Sequence, residues 1–161
     1  IESLILESTS LGIENKDERD LRYTKDLNLS SSIKENLSEF VDNWESGKLF
    51  LSQKDRNLSE FNNQRDIRLG HNINQLSNSL KTFSVGNMPY MLYQYQKLKF
   101  PLIIINGEED HEYIKHGKEM LRLNKNTKQY IVSDASHNTH LENTDTFCDI
   151  INNILTIKEV T

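Results

Sequence analysis

Three textures follow one another along the chain. Leu4, Ile5 and Leu6 form a short apolar run close to the first residue, with no cap or turn signal before it. A continuous run of that length reads as a strand buried on both faces. Such a strand needs neighbours on both sides, so the opening reads as the middle of a larger protein. From residue 14 to residue 84 the apolar positions switch to helical spacing. "KDERDLRYTKD" is a charged helical segment. In "SSSIKENLSEFVDNW" Ile33, Leu37, Phe40, Val41 and Trp44 recur at three- and four-residue intervals. Ser30–Ser32 offer N-caps to that stripe, with Glu35 at capping-box distance from Ser32. "NINQLSNSLKTF" repeats the pattern with Ile73, Leu76, Leu80 and Phe83. The block predicts three or four amphipathic helices and no strand. A further helical stretch, Met91 to Leu98, leads out of it.

At residue 101 the texture reverts. "PLIIING" is a buried strand ending in an Asn-Gly turn. A helical pattern containing Ile114, Met120 and Leu121 follows, then "KQYIVSD", a second strand. The last pattern is a helix with Phe147, Ile150, Ile151, Ile154 and Leu155 inward and Asn143 or Thr144 at its N-cap. Strand, loop, helix, strand, loop, helix is the alternation of a parallel sheet covered by helices, an α/β fold.

Composition narrows the classes of function. Of the 161 residues 35% are hydrophobic and 27% charged, which suits one domain with a large wetted surface. The net charge of −5 gives no basic surface for nucleic acid. No apolar run approaches the roughly 18 residues of a membrane span. A single cysteine, Cys148, cannot form an intrachain disulfide, which fits a reducing cytoplasm.

The chemistry gathers after the two later strands. One loop carries "GEED" and the next "SDASHNTH". In open parallel sheets reactive residues collect on the loops beyond the carboxyl ends of the strands, so Asp110 and His137 can meet there. An aspartate bonded to imidazole Nδ1–H fixes the tautomer and leaves Nε2 as a base. Glu108 and Glu109 compete with Asp110 as the acid, and His140 reads as a structural or pocket-edge residue. His111 and His116 are five apart and share no helix face well, so they read as solvated side chains. No glycine-rich phosphate loop and no zinc pattern is present, so no cofactor and no metal is expected.

An acid after one strand and a histidine after the next resembles the C-terminal half of the α/β-hydrolase fold. There the triad runs Ser, Asp or Glu, His, with the serine on a G-x-S-x-G elbow. "LIIINGEED" resembles that family's acid segment, whose pattern puts the acid last and favours Asp110. "SDASHNTHLEN" resembles its histidine segment, although the usual Gly-x-Gly-His is here Asp134-Ala135-Ser136-His137. Glu18-Arg19, Arg22 and Asp26, then Trp44, then Arg65 or Arg68, resemble a narrower group: the 2-succinyl-6-hydroxy-2,4-cyclohexadiene-1-carboxylate synthases of menaquinone biosynthesis.

This resemblance implies the C-terminal part of an α/β-hydrolase fold, parallel strands with helices, plus an inserted helical lid. It implies a core strand and turn over residues 1–13, the lid and return helix over 14–98, and C-terminal core elements over 99–161. It implies a lyase that removes a proton and releases pyruvate, with Asp110 and His137 in the triad. Arg22 and Arg68 would bind a small anionic polycarboxylate, and Trp44 would line the pocket or pack the lid. Arg65, three residues from Arg68, competes with it.

The chain contains no G-x-S-x-G, and Ser8, Ser10 and Ser136 sit on no strand-to-helix elbow. The serine and the oxyanion donors are therefore expected outside these residues, in an N-terminal half that would be this chain's partner in the fold. Two other readings stand beside the synthase. One is an esterase or C–C hydrolase with the same triad. The other is an inactive fragment that packs on a partner along the strand at residues 3–7.

Overall fold

The computed structural model describes residues 1–156. Ile157, which extends the last helical pattern, lies outside the described residues. Three parallel strands occur among those described: β1 (Leu4–Glu7), β2 (Leu102–Gly107) and β3 (Thr127–Val132), in the order β1-β2-β3. Leu4 stands opposite Leu102, and Leu102 opposite Thr127. Parallel neighbours cannot be joined by a tight turn. Helix α7 (His111–Leu123) connects β2 to β3. A far longer stretch connects β1 to β2 through α1 (Lys16–Glu35), α2 (Leu37–Glu45), α3 (Leu51–Arg56), α4 (Leu58–Leu69), α5 (Ile73–Thr82) and α6 (Leu92–Gln96). Short α8 (Thr139–Glu142) and α9 (Thr144–Thr156) follow β3.

Contacts divide the chain into two compact units. The sheet unit gathers Ile1–Ser10, Lys48–Leu58 and the chain from Tyr93 onward. β2 is its centre, and all six of its residues are buried. Side chains alternate across a strand. Ile103 and Ile105 form one core layer with Val132, Ala135 and Ile154, against which Phe147, Ile150 and Ile151 of α9 pack. Asn106, on the opposite parity, meets α7. Gln129 Nε2 donates to Asn106 Oδ1 at 3.0 Å and to the Ile114 carbonyl at 3.2 Å. Gly117 of α7 lies so close to both amides that a Cβ there would collide with Gln129. Leu155 departs from the expected inward set. It is 52% exposed, one residue past the buried Ile154 and so turned off the packed face. Leu4, Ile5 and Leu6 are half-buried.

The helical unit comprises Leu11–Gly47 and Ser59–Leu92. Residues 14–84 hold five α-helices rather than three or four. The serine cap also moves. Ser30–Ser32 lie inside α1, and the break falls at Asn36, which ends α1 and accepts the Glu39 N–H at 3.2 Å to begin α2. Each serine hydroxyl has a partner that suits a helix interior. Ser31 and Ser32 bond back to the Leu27 and Leu29 carbonyls, and Ser30 bonds to α5. Ile73 and Phe83, expected inward on α5, are exposed, while Ser77 on that helix is wholly buried. The return helix is shorter than Met91–Leu98: α6 covers Leu92–Gln96 only.

Candidate active site

Asp110 sits where the apolar run of β2 ends and the chain must turn into α7. Its N–H bonds the Gly107 carbonyl at 3.1 Å, and its carboxylate caps α7 by accepting the Tyr113 N–H at 3.5 Å. Asp110 is buried. The histidine loop leaves β3 through Asp134, which takes a left-handed φ of 50°. Two backbone bonds tie the loops together: Glu108 N–H to Val132 O at 2.9 Å and Glu109 N–H to Ala135 O at 3.0 Å. Gly107 makes that approach feasible. A Cβ at this position would be driven into the carbonyl oxygens of Ala135 and Ser136.

The loops bring Asp110 and His137 into contact, with Asp110 Oδ2 to His137 Nδ1 at 2.7 Å. The imidazole is 17% exposed and lies edge-on to the Tyr113 ring (centroids 4.6 Å apart) and the Phe50 ring (6.3 Å). A carboxylate on Nδ1 keeps that nitrogen as the donor and leaves the Nε2 lone pair to accept a proton. Two aromatic edges limit ring rotation, so the imidazole is held in one orientation.

Two further carboxylates frame the histidine loop, and both escaped the sequence reading. Glu142 is buried and faces the loop from α8. Glu7, at the end of β1, accepts Thr139 Oγ1 at 2.6 Å, the His140 N–H at 3.1 Å and His140 Nδ1 at 2.8 Å. Burial acts to raise the Glu7 pKa, but the bonds from Thr139 and His140 outweigh it and hold the carboxyl below its usual range. His140 thus has a structural partner. Ser8 takes a left-handed φ of 39° and its buried hydroxyl has no hydrogen-bond partner among the described residues. Ser136 gives its N–H to Glu142 at 3.1 Å.

The basic residues belong to the helical unit. Arg22 Nε spans both oxygens of the buried Asp26 at 3.0 Å. Arg68 Nη1 donates to Glu45 Oε1 at 2.9 Å, and Arg65 reaches Glu45 Oε2 and Asp42 Oδ1. Bonds from Asp42 and then Glu45 raise the Arg65 pKa. Both arginines therefore converge on Glu45. That acid follows Val41 by one helical turn, so a carboxylate on an apolar stripe was the available signal. A cavity of about 280 Å³ joins Trp44 to Arg68, with His71 beside them and Ile33, Val41 and Leu80 among its apolar walls. Trp44 stacks on Phe40 with centroids 5.8 Å apart. Among the described residues no group of three or more His, Cys, Asp or Glu is placed to hold a metal, and no helix is long and apolar enough to cross a membrane.

No family model matches the sequence. A Bacillus subtilis (strain 168) protein, named as a candidate 2-succinyl-6-hydroxy-2,4-cyclohexadiene-1-carboxylate synthase, is 30% identical over 157 residues, spanning 97% of this chain and 57% of that protein. The synthase of that name from Serratia proteamaculans (strain 568) is 25% identical over 158 residues, spanning 96% and 58%. Among solved structures, MenH from S. aureus superposes with a TM-score of 0.94 at 29% identity, covering 99% of this chain and 60% of that one. The enol-lactonase of Burkholderia xenovorans LB400 gives 0.73 at 18% identity over 97% and 56%, a likeness of fold alone. The chain thus spans less than two thirds of the length of each of these proteins.

Proposed function

From the premise that this chain is a homologue of the 2-succinyl-6-hydroxy-2,4-cyclohexadiene-1-carboxylate synthases, built on an α/β-hydrolase fold, we propose that it carries the acid and base of a pyruvate-eliminating lyase of menaquinone biosynthesis. The observation that carries this reading is the 2.7 Å contact between Asp110 and His137 at the carboxyl ends of adjacent strands. The substrate is 2-succinyl-5-enolpyruvyl-6-hydroxy-3-cyclohexene-1-carboxylate. A ring C–H loses its proton to the triad, and the electron pair forms the new ring double bond. The C–O bond to the enolpyruvyl group then breaks, and the departing enolate takes up a proton to leave as pyruvate. His137 Nε2 receives the proton through a serine outside these residues, and Asp110 steadies the imidazolium.

Arg22, Arg68 and Trp44 hold the substrate. Arg22 commits Nε to Asp26, which fixes the guanidinium plane and offers its Nη edge to a substrate carboxylate. Arg68, paired to Glu45, presents its remaining donors to the cavity it shares with Trp44.

The test is pyruvate release from that substrate by the protein expressed from its complete reading frame. His137→Ala and Asp110→Asn are expected to lower kcat by about 10²–10⁴-fold. Arg22→Ala is expected to lower kcat/KM by about 10- to 150-fold, the loss of one charge-assisted bond. A His137→Ala variant with undiminished turnover would rule the reading out.

A further inference from the structure

We infer that Glu142 is a positioning residue for His137, and that Arg56 links it to the acid loop. The inference rests on the reading of His137 as the triad base and deepens it. The Glu142 side chain is wholly buried, and each of its two oxygens holds one side of the histidine loop. Oε2 accepts the Ser136 N–H at 3.1 Å, and Oε1 accepts the Asn138 N–H at 3.4 Å. These are the two backbone donors that flank His137. The carboxylate therefore grips the main chain on both sides of the imidazole-bearing residue, which sets where its Cα points.

A wholly buried carboxylate is costly unless its charge is met and its lone pairs are filled. Two side chains of α3 do both. Ser52 Oγ donates to Oε2 at 2.7 Å, and Arg56 Nη1 reaches the same oxygen at 3.3 Å. The other arm of Arg56, Nη2, pairs with Glu109 Oε1 at 2.5 Å. Glu109 precedes Asp110, and its own N–H is bonded to the Ala135 carbonyl in the histidine loop. One guanidinium thus joins the residue before the acid to the carboxylate that clamps the base. Arg56, Glu109 and Glu142 come from three loops or helices of the sheet unit, and the Asp110–His137 bond lies within the frame they close.

The substitution that isolates this role is Glu142→Gln. It keeps shape and volume but replaces an acceptor-only group by one acceptor oxygen and one NH₂. Whichever way the amide turns, its NH₂ faces a donor: Asn138 N–H on one side, or Ser136, Ser52 and Arg56 on the other. The loop must then let go of at least one flank of His137. Arg56→Met is the second variant. It removes the link from a part-exposed side chain and leaves the carboxylate in place.

Both are made in the protein expressed from its complete reading frame and compared with His137→Ala. The first readout is the downfield proton resonance of His137 Nδ1–H, assigned by its loss in His137→Ala. It is expected to broaden or shift in Glu142→Gln and in Arg56→Met. The second is steady-state pyruvate release. Both variants are expected to lower kcat by about 10- to 100-fold, as a misplaced catalytic group does, with KM little changed. Neither is expected to lower the residual activity of His137→Ala further, since the two substitutions would act through one group. A wild-type resonance that is absent, or that stays unchanged in both variants, overturns the inference. So does an equal further loss in the His137→Ala background, which would place Glu142 in a separate role. If His137→Ala retains full turnover while Glu142→Gln still disturbs the Nδ1–H resonance, the proposed activity fails and the positioning stands.

Discussion

In the sheet unit the wholly buried side chains of the central strand are aliphatic but for Asn106 near its end: Leu102, Ile104 and Ile105. In the helical unit the buried positions of the longest helix are Asp26, Ser30 and Ile33. Both sets follow the period of their element, but two of the three helical positions are polar where the strand's are mostly aliphatic. Ser30 Oγ donates to the Ser77 carbonyl at 2.9 Å, Ser77 Oγ donates to the Ser30 carbonyl at 2.9 Å, and the two hydroxyls stand 2.7 Å apart. Asp26 accepts Ser84 Oγ at 2.7 Å in addition to Arg22. Small hydroxyl side chains let α1 and α5 approach closely and satisfy each other. A core of that kind is sensitive to which partner is present, whereas an aliphatic core is sensitive to volume.

The contrast can be tested from its strongest case downward. Ile104→Ala empties a site in the middle of the sheet and is expected to destabilise the protein by about 2–5 kcal/mol in urea unfolding, with Ile104→Val costing about 0.5–1.5 kcal/mol. A small cost for both would mean that the sheet does not depend on filling that volume. Asp26→Ala removes a buried acceptor from Arg22 and Ser84 and is expected to cost about 1.5–3 kcal/mol. Replacement by the larger, apolar leucine should not recover the loss, and recovery would show that volume governs the helical unit too. Ser30→Ala and Ser77→Ala, taken singly and together, are expected to show a coupling of about 0.5–1.5 kcal/mol in a double-mutant cycle. Strict additivity would mean that the two hydroxyls act independently.

The smallest effect concerns Glu7, whose carboxyl is held below its ordinary value of 4.5. A depressed folded-state pKa contributes stability that is fully present above the unfolded value and is lost as pH falls through the folded one. The stability gap between the wild type and Glu7→Gln is therefore expected to be constant near neutrality and to close as pH drops from about 4.5. A gap that widens on acidification would reverse the sign of the argument. The group is part-exposed, so solvent screening keeps this pH-dependent gap the smallest of the effects.

What could be read from sequence followed from range. The strand Leu102–Gly107 and the loops bearing Asp110 and His137 are local signals, a run of four apolar residues and a polar turn directly behind it. Polar cores leave no such mark. Asp26, Ser30 and Ile33 have helical spacing, but a search for apolar residues finds only the last of them. The serine run accordingly reads as a cap, although the nearest break is Asn36. The partners of Glu142 on α3, Ser52 and Arg56, are 90 and 86 residues away along the chain. No periodicity connects positions so distant. Glu45 is also absent from the sequence reading, although it carries a local signal: it lies one turn beyond Val41, an acid on the buried face of α2.

Gly107 joins the end of β2 to the histidine loop so tightly that even a methyl group would strike the carbonyls of Ala135 and Ser136. The consequence shows in the variation the chain can accept. In a saturation library selected for folded protein, position 107 should return a single letter, while exposed Glu108 beside it accepts many. Neither Gly107 nor the two carbonyls it approaches carries any reactive group. Even so, the narrowest tolerance in the region should fall on this site, because backbone atoms cannot be traded for smaller ones and the collision has no side chain to move aside. A second-site revertant of Gly107→Ala would therefore be sought in loop length between Val132 and His137, and not in any substitution at Ala135 or Ser136.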